Sequence, residues 1–223
     1  MNEKPILFNG EMVSAILDGR KTATRRLISR KRVWDLLSSE ARKNNPDISD
    51  QAMINMFLRP PCEPGDILYV RETWQYGGPL DGNDQMIEPG RYYYAADGDP
   101  FDRWLNDDGT VHEGMKWRPS IHMPKEAARI WLRVGSVQAE LLQSITEDGA
   151  RREGIGEYFV GMGESGFAVN RDSSSIYETA RGAFADLWNS TIKNTDKWWA
   201  SWGVNPWVWA IEFERCEKPG GEP

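Results

Sequence analysis

Asp18-Gly19-Arg20-Lys21-Thr22-Ala23-Thr24-Arg25-Arg26 sets a lysine, two threonines and three arginines directly behind a helix stop. Upstream, Met12, Val13, Ile16 and Leu17 are apolar at helical spacing, Asn9 is placed to cap, and Gly19 supplies a left-handed turn. A short amphipathic helix therefore ends at Gly19. Downstream, residues 22–28 are rich in β-branched side chains and read as a strand, with continued helix as the other reading. On a strand, Thr22, Thr24 and Arg26 share one face and Lys21 occupies the turn.

Two accounts of this stretch compete. In one, the basic residues merely face solvent and favour the helix C-terminus. In the other, Lys21 takes the proton of a threonine hydroxyl, which is too weak an acid to attack unaided near neutral pH. Neighbouring guanidinium groups and partial burial both lower a lysine pKa and favour that chemistry.

With 223 residues the chain is long enough to bury a sizeable core. The reading favoured is one elaborated domain over residues 1–215 and a frayed Gly/Pro-rich tail over 216–223. A net charge of −7 argues against a general polyanion binder. The charge is unevenly spread, however: residues 20–43 carry nine Lys/Arg against two acids, an excess of +7 that keeps RNA as a partner in view. Two cysteines, Cys62 and Cys216, and two histidines, His112 and His122, give no metal-ligand spacing. Neither a metal nor a cofactor is expected, and the H-x-E and P-C-x-x-C pair of zinc cytidine deaminases is absent. With no signal peptide and no long apolar run, the expectation is a cytoplasmic protein with reduced thiols and no membrane partner.

Along the chain, Val33 to Ala41 predicts a helix, and Met53 to Leu58 another that begins near Asp50 and is stopped by Pro60-Pro61. Gly65-Asp66 turns into a strand from Ile67 to Glu72, followed by a polar loop over 75–90 and a strand over 91–96. Trp74 reads equally as core packing or as a base-stacking platform. The proline-bounded loop 117–124 holds His122, a structural residue in one reading and a proton donor to a leaving amine in the other. Strands are predicted over 130–134 and 137–142. Ser144-x-x-Glu147 and Ser175-x-x-Glu178 read as capping boxes, the first opening a helix that Gly154 ends. Residues 155–173 read as a long loop, a candidate lid. The second box opens a helix with Ile176, Ala180, Phe184, Leu187 and Trp188 on one face, and a final strand follows over 207–213.

Pro5-Ile6-Leu7-Phe8, Ile16 to Thr22, Pro64 to Trp74, Trp117 to Pro124 and Asn205 to Phe213 together resemble the ASCH-domain proteins often carried by phages and prophages. The resemblance spans nearly the whole chain and implies an α+β fold: a small mixed PUA-like β-barrel with flanking helices and long loop insertions. Enzymatic members of that family remove the acyl group of N(4)-acetylcytidine with a lysine and a threonine of a G-R-K-T-x-T-x-R stretch and a downstream glutamate. Lys21 and Thr24 match that stretch, and Glu153, in Leu142 to Gly154, matches the glutamate. This chain is about twice as long as those enzymes, and Arg25 stands where they carry an aliphatic residue.

The resemblance thus implies a metal-free amidohydrolase acting on a small nucleoside substrate, with Lys21, Thr24 and Glu153 catalytic. Arg26, Glu72, Trp74 and His122 are the candidates for holding the substrate. The rivals are an RNA-binding module or ribonuclease and a phage assembly protein, and fold alone does not choose among them.

Overall fold

The structure, a computed structural model, describes residues 2–78, 90–99, 116–161, 164–170 and 175–220. In chain order the elements are β1 (Glu3–Leu7), α1 (Gly10–Leu17), β2 (Ala23–Leu27), α2 (Arg30–Leu37), α3 (Glu40–Lys43), α4 (Asp50–Phe57), β3 (Ile67–Arg71), β4 (Trp74–Gly77) and β5 (Arg91–Tyr94). They continue with β6 (Trp131–Leu141), α5 (Glu147–Arg152), β7 (Gly156–Gly161), β8 (Glu164–Ala168), α6 (Ala180–Thr191), α7 (Lys197–Ala200) and β9 (Trp207–Cys216). The class is mixed α+β. Hydrogen-bonded strand order is β1-β3-β6-β9-β2, with β4-β5 and β7-β8 as separate pairs. That order is open at β1 and β2, so among the described residues the pairing closes no barrel. No helix among them is long and apolar enough to cross a membrane.

Contacts divide the chain into two compact units. The first comprises Asp18–Asp66 and Arg133–Glu214. In it β2 runs antiparallel to β9, with Ala23 opposite Glu212 and Thr24 opposite Ile211, and β6 is the other neighbour of β9. Val134, Ala139, Ile145, Phe184, Val208 and Ile211 are among its buried apolar side chains.

The second unit comprises Asn2–Leu17, Ile67–Leu132 and Arg215–Pro223. Here β1 pairs in parallel with β3, Ile6 opposite Val70, and β4 pairs antiparallel with β5. Its core gathers Ile67, Tyr69, Trp74, Met123, Ala127, Ala128 and Trp131. The α1 N-terminus is capped as the sequence implies, Asn9 Oδ1 accepting from Met12 N–H at 2.9 Å.

Several local expectations are corrected. The helix predicted from Val33 to Ala41 is broken between α2 and α3, where Ser38 and Ser39 hydroxyls donate to Trp34 O and Leu36 O and so compete for helix carbonyls. Of the loop expected over 75–90, residues 75–77 are strand, part of β4, while 79–89 lie outside the described residues. Strand β6 runs unbroken through Gly135.

Both predicted serine caps are displaced. Thr146 caps α5 by accepting from Gly149 N–H, and Thr179 caps α6 by accepting from Gly182 N–H. Glu147 serves the second helix instead, its carboxylate accepting from Ala180 N–H at 2.8 Å, a favourable place for negative charge. Ile176 precedes α6 and is exposed. The presumed lid over 155–173 contains the β7-β8 hairpin; residues 162–163 and 171–174 lie outside the described residues.

Candidate functional site

The site residues of the first unit are set by how α5 ends. Glu153 is its C-cap residue, its N–H bonded to Gly149 O and Ala150 O, and Gly154 at φ +104° then reverses the chain in a conformation that favours glycine. Upstream, Gly19 at φ +76° turns the chain out of the first helix. Three contacts tie the next residues to this helix end and to β9. Arg20 Nη1 donates to Gly154 O, Thr22 N–H to Arg152 O, and Phe213 N–H to Thr22 O. Lys21 and Glu153 consequently face one another as an isolated antiparallel bridge.

Lys21 is buried, and its Nζ donates to Glu153 Oε2 at 2.7 Å, to Glu153 O at 2.9 Å and to Ala23 O at 2.8 Å. Three acceptors match the three protons of an ammonium. Burial pulls the Lys21 pKa below its ordinary value; Glu153 opposes the drop, and Arg26 and Arg25 add to it. Lys21 is thus a cation in a place that disfavours cations.

Arg25 and Glu140, both half-buried, extend the buried pair into a chain of four charges. Arg25 Nη1 donates to Glu153 Oε1 at 3.1 Å and its Nε to Glu140 Oε1 at 2.7 Å. Each Glu153 oxygen therefore has its own cation, and Lys21-Glu153-Arg25-Glu140 is neutral as a set. A polar cavity of about 200 Å³ lies on the Ala23 and Arg25 face of β2, with Glu140, Ser144, Thr146 and Arg152 in its walls. Strand alternation puts Thr24 and Arg26 on the opposite face. Thr24 is buried there, and burial lowers the Arg26 pKa while Glu153 and Cys62 raise it.

Of the residues singled out from the sequence, Lys21 and Glu153 are in direct contact, with Thr24 three residues along on β2 and Arg26 beside it. The second unit holds Glu72, Trp74 and His122. Glu72 is buried and receives a two-pronged bond from Arg129, Nε to Oε1 and Nη2 to Oε2, each 2.9 Å. Arg129 also donates to Asp97 and lies 3.9 Å over the Tyr94 ring. Burial raises the Glu72 pKa against the opposing pull of Arg129.

Trp74 is part of that unit's core, with Arg118 5.4 Å over its ring, and its buried Nε1 meets no hydrogen-bond acceptor among the described residues. His122 is exposed at the end of a 3-10 turn, Ser120–His122. Glu140 and the clamping role of Arg25 escaped the sequence reading. The signals available were a single acid, Glu140, on β6 and a guanidinium on the face of β2 opposite Thr24. Among the described residues no group of three His, Cys, Asp or Glu could hold a metal ion.

No family model and no curated protein matches the chain. A solved structure described as an ASCH domain from Lactobacillus crispatus JV V101 is similar to it at 11% identity, covering 96% of this chain and 79% of that one with a TM-score of 0.38. A likeness of that size is too slight to carry an argument about chemistry.

Proposed function

We propose that the chain is an ASCH-type, PUA-like amidohydrolase that removes the acyl group of N(4)-acylated cytosine nucleosides without a metal. The observation that carries the reading is the buried Lys21–Glu153 contact with Thr24 buried close by on β2, since nucleophile, base and orienter must lie in one dry place. For Lys21 to act as a base it must first lose a proton, and Glu153 Oε2, 2.7 Å away, is the group that receives it. One of the three Nζ bonds is then released and the lone pair is free for the Thr24 hydroxyl.

Thr24 Oγ1 attacks the acyl carbon and its proton passes to Lys21. The C–N bond breaks and Lys21 returns that proton to the leaving N(4) amine. Water then hydrolyses the Thr24 ester, one of its protons returning to Thr24 Oγ1 by way of Lys21, and the acyl group leaves as the carboxylic acid. Arg26 is the neighbouring candidate for holding substrate; Glu72, Trp74 and His122 keep that role only as proposals. Incubating the full chain with N(4)-acetylcytidine and following cytidine by chromatography tests the reading, with release that survives EDTA as the expected result. No cytidine above the uncatalysed rate would sink it.

A further inference from the structure

The proposed hydrolysis leaves unused the polar cavity on the Arg25 face of β2, opposite Thr24. Strand alternation builds it: Ala23 and Arg25 of β2, Ala210 and Glu212 of β9, and Gln138 and Glu140 of β6 share one face of three neighbouring strands. Arg25 stands opposite Ala210, and that small side chain lets the guanidinium cross β9 to reach Glu140 on β6. Helix α5 supplies the other wall through Gly149 and Arg152. The cavity volume of about 200 Å³ is on the order of seven waters and lies below the ~300–1,000 Å³ of drug-sized sites. It suits one small ring or an open-chain molecule of similar size.

A half-made fork faces this space. The Nε and Nη2 of a guanidinium lie along one edge, and Arg129 uses that edge in full against Glu72, Nε to Oε1 and Nη2 to Oε2. In the Arg25–Glu140 pair only the Nε to Oε1 bond is made, and Nη1 is taken by Glu153. Among the described residues Arg25 Nη2 has no acceptor and Glu140 Oε2 no donor. A methyl group on Gly149 would lie 3.5 Å from that Nη2. The surrounding charges decide what the fork accepts. Arg152 pairs with Glu212 and Asp148, and Arg25 with Glu153 and Glu140, so the lining is electrically balanced. An entering anion would meet Glu140 and Glu212, and an entering cation Arg25 and Arg152, each with a desolvation cost of its own. An uncharged molecule with C=O and N–H side by side meets neither: its oxygen accepts from Nη2 and its N–H donates to Oε2.

We propose that this cavity binds a small uncharged amide with C=O and N–H on one edge, a primary carboxamide or a cyclic ureide, which completes the Arg25–Glu140 fork. Open-chain secondary amides, whose C=O and N–H point in opposite directions, do not fit it. The proposal does not rest on the amidohydrolase reading.

The test titrates the isotope-labelled full chain with ethyleneurea and, separately, with propionamide, following backbone amides and the Arg25 Nε–H by NMR. Both should give saturable shifts at Ala23, Gly149, Ala210 and Arg25, and the tighter of the two names the ring or the open chain as the preferred source. The N,N′-dimethyl derivative of ethyleneurea keeps the carbonyl but has no N–H, and should bind about 5- to 150-fold more weakly because Glu140 Oε2 stays unpaired. Acetate and methylammonium should give no saturable shift there. Gly149→Ala, whose methyl crowds Nη2, and Ala210→Val, which narrows the cavity from the strand side, should each remove binding. In Glu140→Gln the amide oxygen stays on Arg25 Nε and the NH₂ turns toward the ligand N–H, so ethyleneurea should again weaken by about 5- to 150-fold. Circular dichroism checks that each variant is folded. Equal binding of the dimethyl compound, of acetate or of methylammonium would overturn the proposal, as would parental affinity in folded Gly149→Ala or Ala210→Val. So would loss of binding in Thr24→Val, which would put the probe on the other face of β2, or no saturable shift with either amide.

Discussion

Each unit buries a glutamate against a cation, and the two solve the problem differently. Glu72 meets the fork of Arg129, two parallel bonds of 2.9 Å from a group that stays charged at any ordinary pH. Arg129 spreads over Tyr94 and reaches Asp97, so its charge is well satisfied. Glu153 instead meets a lysine sealed from water, whose ammonium burial disfavours, and a second cation on its other oxygen. The first arrangement is suited to holding a fold. The second is the arrangement that the proposed acid-base chemistry requires, a lysine whose proton is held against the pull of burial.

The sharpest way to break this distinction is to remove the movable proton's holder. Lys21→Ala and Thr24→Ala should each lower kcat/KM for N(4)-acetylcytidine by about 10² to 10⁴, the usual share of general acid-base catalysis, and the double variant should be scarcely worse than either. Thr22→Val, whose backbone rather than hydroxyl is engaged, should turn over normally. If Thr22→Val is dead while Thr24→Ala is active, the nucleophile lies two residues earlier.

Stability comes next. Glu153→Gln leaves a buried ammonium facing a neutral group and should cost about 3 kcal/mol in urea unfolding, the lower part of the range for breaking a buried pair. Adding Lys21→Met should recover part of that loss. Glu72→Gln should cost less, about 1–2 kcal/mol, because Arg129 is partly exposed and keeps Asp97. Equal losses at the two sites would erase the distinction.

The smallest effect is one of sign. The Lys21 pKa is lowered, so its contribution is present above the ordinary 10.5 and is lost as pH falls through the folded value. The Glu72 pKa is raised, so its contribution is present below the ordinary 4.5 and is lost as pH rises through the folded value. Subtracting the Lys21→Met unfolding curve from that of the parent chain should leave a term that grows with pH toward 10.5. Subtracting the Glu72→Gln curve should leave one that shrinks with pH above 4.5. Two terms of the same sign would refute the assignment.

What could be read from the sequence was local, and what could not was paired at a distance. The α1 cap at Asn9, the turn at Gly19 and the strand after it follow from neighbouring residues alone. Glu153 was reachable through the resemblance, and Gly154 after it marked the helix end. Arg25 to Glu140 spans 115 residues, and nothing short of the β6-β9-β2 order makes those side chains neighbours. The β7-β8 hairpin was hidden because its glycines interrupt the alternation that marks a strand. The first cap moved to Thr146 because Ser144 is taken up in a 3-10 turn, Leu142–Ser144, before α5 begins.

The pairing of β2 with β9 also fixes when the site can exist during synthesis. Lys21 leaves the ribosome early, yet Glu153 follows 132 residues later and the strand that flanks Thr24 only with Ile211. At roughly 5–20 residues per second, those 132 residues take about 7 to 26 seconds, during which the lysine has no carboxylate to enter with and stays hydrated. A nascent chain from which Glu153 has emerged but β9 has not can close the Lys21–Glu153 bridge while β2 still offers a bare edge. Release from such a stall would expose an unpaired strand that carries the proposed nucleophile, so the chain would be without its proposed site and aggregation-prone until its last strand docks.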